Sequence, residues 1–234
     1  MRAAVLAALL VATTATTVSA QVTFSSNFDG SPAAALDPGF GSQQLLVDFN
    51  SGNGPYAGVS FGGTWSIQTG TFSGRAAAPA GVTNGYFAVP DRNLNPSTGT
   101  ATIDFTDFLK NHTLSGLSFY WGSIDRYNEV RFLDENGDAL NITIGLGSST
   151  AIDGSDVTST ANGNQQQQIT NRRVFFDLSN VSGFTTLELY SDGRAFEIDD
   201  IAVHAMRVPE PGSFALLATG LVGLVGIARR RRNA

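Results

Sequence analysis

Between Gln21 and Arg207 the apolar residues do not recur at helical spacing; they alternate in short runs. Leu117, Phe119 and Trp121 share one face, with Ser118, Tyr120 and Gly122 on the other. Val130 and Phe132 oppose Glu129 and Arg131, and Leu187 and Leu189 flank Glu188. Side chains of a strand point alternately to its two faces, so period two marks half-buried strands. The runs predict strands at Gln43–Phe49, Val59–Phe61, Thr64–Thr69, Gly85–Val89, Ala101–Phe105, Leu114–Trp121, Glu129–Leu133, Leu140–Ile144, Arg173–Leu178, Thr185–Tyr190 and Phe196–His204. Gly, Asn, Asp and Ser cluster between them. Asp134-Glu135-Asn136-Gly137-Asp138 carries the Asn-Gly pair of a tight hairpin. Thr106–Lys110 suits one helical turn. Ala161–Gln168 has no apolar residue beyond Ala161 and is expected on the surface. Many short strands and no long amphipathic helix predict an all-β, jelly-roll-like sandwich of two antiparallel sheets.

The two ends break this pattern. Arg2 precedes the apolar run Ala3–Ala12, and Val18-Ser19-Ala20 ends in the small-x-small arrangement that signal peptidase cuts. Residues 1–20 are therefore expected to be a signal peptide. At the other end, Val208-Pro209-Glu210-Pro211 precedes the uncharged stretch Ser213–Ala228, which is followed by Arg229, Arg230, Arg231 and Arg232. Two prolines hold the backbone extended and without N–H donors, accessible to a processing enzyme. Sixteen residues of helix span roughly 24 Å, a little short of a typical hydrocarbon core. Four arginines stop translocation and stay on the cytoplasmic side. The expected organisation is a signal peptide (1–20), a β-sandwich ectodomain (21–207) and a sorting segment with a single transmembrane helix (208–234).

This three-part tail resembles the PEP-CTERM sorting signal of exported Gram-negative surface proteins. The resemblance implies an exosortase-type enzyme as partner. It would cut near Pro209-Glu210-Pro211 after a transient inner-membrane stage and leave the product at the cell surface or outside the cell.

Composition narrows the chemistry. The ectodomain holds nine Lys and Arg against 19 Asp and Glu, a net charge of −10. Such a surface repels phosphate backbones, so nucleic acid is not an expected partner. There is no cysteine, which excludes disulfide staples and thiol chemistry. The two histidines, His112 and His204, belong to no Gly-x-Ser-x-Gly elbow or His-Glu-x-x-His pair, and there is no P-loop. The chain is therefore expected not to be an enzyme.

Two places remain for chemistry. The first is Trp121-Gly122-Ser123-x-Asp125-x-Tyr127-Asn128. An aromatic face beside carboxylate and amide groups suits a sugar ring, so Trp121, Asp125, Tyr127 and Asn128 are candidate ligand contacts. A tryptophan on an apolar strand face is more often a core residue, and Asp125 and Asn128 in a loop between strands more often make turn hydrogen bonds. The stretch resembles a strand–loop–strand shared by a group of exosortase-dependent surface proteins.

The second is Phe196–Val203, where alternation changes phase at Asp199-Asp200, the mark of a β-bulge. This segment resembles the final strand of those proteins and of carbohydrate-binding jelly rolls. In such jelly rolls a structural calcium links the last strand to the first. The resemblance makes Asp29, with Asp199 and Asp200, a candidate Ca2+ site; the alternative is that the two aspartates contact water or backbone N–H groups. Asp134-x-Asn136-x-Asp138 imitates an EF-hand start but has Gly145 at the twelfth position, so the hairpin reading is preferred.

The expected role is structural or adhesive, within an exopolysaccharide or biofilm layer of the extracellular matrix. The alternatives are a carbohydrate-binding module, a secreted glycoside hydrolase or an ice-binding protein. Ice binding would need a regular threonine ladder, and Thr100 and Thr102 stand alone.

Overall fold

The computed structural model describes residues 43–50, 56, 58–91, 93, 97–144 and 146–208, the backbone of 20–24, and the isolated positions 212, 219, 220 and 229. Its strands are β1 (Ala20–Phe24), β2 (Gln44–Val47), β3 (Ser60–Gly63), β4 (Ser66–Thr69), β5 (Gly85–Val89), β6 (Gly99–Asp104), β7 (His112–Gly122), β8 (Asn128–Asp134), β9 (Ile142–Ile144), β10 (Gly147–Ser149), β11 (Ile152–Asp153), β12 (Arg172–Asp177), β13 (Phe184–Ser191) and β14 (Phe196–Arg207). Two single turns of helix, α1 (Thr106–Leu109) and α2 (Gly154–Val157), join them.

One sheet runs β10-β9-β1-β12-β7-β14-β5-β4, with β2 also paired to β14; the other runs β11-β8-β13-β6-β3. Among the described residues the ladders are antiparallel except one: β1 lies parallel to β9, with Ala20 opposite Ile142. The expectation of purely antiparallel sheets is corrected there. β1 begins one residue before the expected signal-peptide cleavage point. Residues 1–19 lie outside the described residues, as does most of the expected transmembrane segment. No described helix is long and apolar enough to cross a membrane.

The inward face of each alternating strand meets the other sheet. Phe119, Trp121, Val174, Phe176, Phe196 and Ile198 from the larger sheet pack against Ala101, Ile103, Val130, Phe132, Leu187 and Leu189 from the smaller one, all at zero exposure. Phe132 meets Phe176 edge-on at 4.8 Å across the gap, which ties the two layers together. One flank is sealed by an aromatic cluster in which Phe61 of β3 contacts Trp65 and Phe87, at 5.3 and 5.5 Å. The Asp134 carboxylate caps the β8 hairpin by accepting from the N–H groups of Asn136 (2.8 Å) and Asp138 (2.9 Å), and Gly137 takes the positive φ that the turn requires. The segment that imitates an EF-hand is therefore a turn.

The outward face of the larger sheet is partly covered as well. The β4–β5 connection lies over it: Tyr86 Oη donates to the carbonyl of Gly70 (2.8 Å) and Tyr120 Oη to that of Ala80 (2.9 Å). Gly122 lets this connection close, because a Cβ there would stand 2.5 Å from Pro79.

Candidate functional site

Four connections meet at one end of the sandwich: β4–β5, β7–β8, the segment between α2 and β12, and β13–β14. They border an open cavity of about 180 Å³ lined by Phe72, Arg75, Asp125, Gln165, Arg194 and Glu197, among others. Buried amides and hydroxyls hold the four together. Asn171 Oδ1 accepts from Ala80 N (2.9 Å) and Ser123 N (3.0 Å), joining three of the connections. Its amide donates to the carbonyls of Gln167 (2.9 Å) and Asn164 (3.1 Å). Tyr127 Oη sits 2.6 Å from Asp125 Oδ2 and 3.0 Å from the Arg194 carbonyl, which ties β7–β8 to β13–β14.

The candidate ligand contacts separate under this geometry. Asp125 and Tyr127 are half-buried, and Asp125 lines the cavity. Trp121 is fully buried and stacks on Phe196 at 4.5 Å, so its ring is a core element and not a ligand platform. The alternation of β7 that aimed it inward prevailed. Asn128 is also fully buried: its amide donates to the Ala195 carbonyl (3.2 Å) and its oxygen accepts from Ser191 Oγ (2.7 Å), fixing the loop as a turn residue.

Glu197 forms part of the cavity's inner wall, and the sequence reading missed it. It occupies the outward position between Phe196 and Ile198, where a strand normally meets water. Here the β4–β5 connection covers it, and it is 1% exposed. Its two oxygens accept from Ala77 N (2.7 Å) and Ser123 Oγ (2.5 Å). Burial pushes its pKa up to about 8 against the pull of those hydrogen bonds. Desolvation likewise raises Asp125, opposed by the Tyr127 hydroxyl, and holds the Tyr127 phenol well above its ordinary value.

The second predicted constellation lies further along β14. The ladder to β7 shifts register between Asp199 and Ala202, and Asp200 has a φ of +45°, so the phase change is a β-bulge. The bulge returns Ile201 to the core after two successive acids. Both acids are buried beside Arg173 of β12, itself 1% exposed. Arg173 Nη2 donates to the Asp200 carbonyl (2.9 Å) and Nε to Ser118 Oγ (3.2 Å), while Asp199 Oδ1 accepts from Asp200 N (2.8 Å). Burial raises Asp199 to about 8, with the Asp200 charge adding to it, and Asp200 to about 6, where Arg173 opposes the rise. Arg173 is drawn down to about 10 by burial, and the two aspartates resist that shift.

A guanidinium thus supplies positive charge beside two of the three candidate calcium ligands. Among the described residues no group of three His, Cys, Asp or Glu could hold a metal ion. Asp29 lies outside the described residues. Arg173 escaped the sequence reading because a charged residue on an outward strand position ordinarily means a solvated face.

The tail is described only at its start and at scattered positions. β14 ends at Arg207, and Val208, exposed, donates its N–H to the Asn111 carbonyl (2.8 Å). Pro209, Glu210, Pro211 and Arg230–Arg232 lie outside the described residues, and Arg229 is exposed.

No curated protein matches the chain. Among solved structures, the enzymatically active domain of tailspike protein 4 from bacteriophage CBA120 aligns with 14% identity and a TM-score of 0.32, over 64% of this chain and 20% of that one. The chain spans only a fifth of that protein, and a likeness so distant carries no argument about fold or activity. Residues 207–232 match the family described as the PEP-CTERM protein-sorting motif. The motif begins at Arg207, the final residue of β14, and with it the chain carries the mark of an exported surface protein that an exosortase-type enzyme sorts.

Proposed function

We propose that the chain is a structural or adhesive protein of an exopolysaccharide or biofilm layer, held at the cell surface or released into the extracellular matrix, and without catalytic activity. The sorting motif at 207–232 carries this reading. Signal peptidase acts at the first end and the exosortase-type enzyme at the other, after a transient inner-membrane stage. The sandwich is read as jelly-roll-like, a scaffold whose end loops are free to specialise.

The test is intact-mass spectrometry of the protein recovered from the surface and the medium. The product is expected to lack Ser213–Ala234. Replacing Pro209, Glu210 and Pro211 with alanine is expected to leave the full-length chain in the membrane fraction. Full-length protein at the surface, or cleavage indifferent to the substitutions, would sink the sorting assignment. A second reading, a carbohydrate-binding module, is favoured by the cavity among the four connections. Inactivity on chromogenic glycosides separates both readings from a hydrolase.

A further inference from the structure

The cavity beside Asp125 has a composition and size that narrow its occupant. Phe72 is 39% exposed and contributes to the wall, an apolar face of the kind that packs on the C–H side of a sugar ring. Around it stand a carboxylate (Asp125), an amide (Gln165) and a guanidinium (Arg194), so acceptors and donors for hydroxyl groups converge on one space. The volume of about 180 Å³ is well below the roughly 300–1,000 Å³ of pockets that enclose drug-sized ligands. It suits one ring, not a stretch of chain. The connections that carry the walls, and the Asp125 carboxyl, are tied in place before any ligand arrives, because Asn171, Tyr127 and Glu197 each bond across two connections. Pre-set polar groups lose little entropy on binding.

Charge selects further. The net charge of −10 on the ectodomain repels a uronate or sulfated sugar on approach, while the wall itself carries both signs, Arg75 and Arg194 beside Asp125 and Glu197.

We propose that this cavity binds a single neutral pyranose unit, a chain end or a side branch of a polysaccharide. The ring packs against Phe72, and its hydroxyls donate to Asp125 and Gln165 and accept from Arg194. This deepens the carbohydrate-binding reading and rests on it. The surface assignment stands apart, because it is decided by fractionation alone.

The probes are glucose, galactose, mannose and N-acetylglucosamine, with glucuronic acid as the charged comparison. Each is titrated into the protein as recovered from producing cells and followed by saturation-transfer NMR. At least one neutral sugar is expected to bind. Phe72→Ala and Gln165→Ala, both at exposed positions, are expected to weaken it at least tenfold while leaving the melting temperature unchanged. Asp125→Ala is expected to abolish binding. No binding by any neutral probe, preference for glucuronic acid, or binding indifferent to Phe72→Ala and Gln165→Ala would each overturn the proposal.

Discussion

Glu197, Asp199 and Asp200 share one strand and one predicament: each is a buried carboxyl whose proton is held more tightly in the folded chain than in the unfolded one. Their folded values of about 8, 8 and 6 stand above ordinary carboxylate values near 4. A raised carboxyl pKa contributes stability that is complete below about pH 4 and fades as pH climbs through the folded value. The melting temperature is therefore expected to fall steadily between pH 5 and 9. Glu197→Gln keeps the shape of the side chain and cannot ionise, so it is expected to flatten that decline; an unchanged profile would count against the assignment. At the same scale, alternation fixed the inward residues of β7, Trp121 among them. It could not show that Glu197 and Arg173, at outward positions, are buried too.

At the scale of elements, the strands legible in the sequence are those that alternate over four residues or more. β5 keeps its expected bounds, and β7, β8, β13 and β14 extend by one to three residues beyond theirs. β10 is Gly-Ser-Ser and β11 only two residues, and neither presents a periodic apolar signal. β1 begins at Ala20, the last residue of the expected cleavage site. α2 also went unread, although Asp153 and Asp156 form a reciprocal capping box around it. The β4–β5 connection has no period, and its role emerges only from what it covers. Gly122 is the place to test that role. A methyl group there would meet Pro79 at 2.5 Å and push the connection off the sheet. Gly122→Ala is expected to cost on the order of 1–3 kcal/mol in denaturant unfolding. It is also expected to loosen the end cavity, seen as faster amide exchange at Ala77 and Ala80.

For the whole molecule, cohesion comes from the interface between the sheets. There are no cysteines to staple it. The ion pairs of Arg131 with Glu129 and Glu188 are partly exposed and contribute little. Phe132 contacts Phe176 across the interface and Phe184 within its own sheet, at 4.8 and 5.4 Å. Phe132→Ala is expected to remove about 3–5 kcal/mol, read as a lower midpoint in urea with an unchanged slope. A loss under 1 kcal/mol would mean that the sheets are held by something other than their facing side chains.

The β14 ladder to β7 runs out to Arg207, and the Val208 amide is fastened to Asn111 at the very threshold of the sorting motif. A processing enzyme that acts at this motif would therefore find almost no slack on the amino side of its target. Either the final few pairs of that ladder unzip to feed the scissile stretch, or the cut precedes their closure. In the first case, the speed of maturation is set by how firmly one β-ribbon is fastened at its tip.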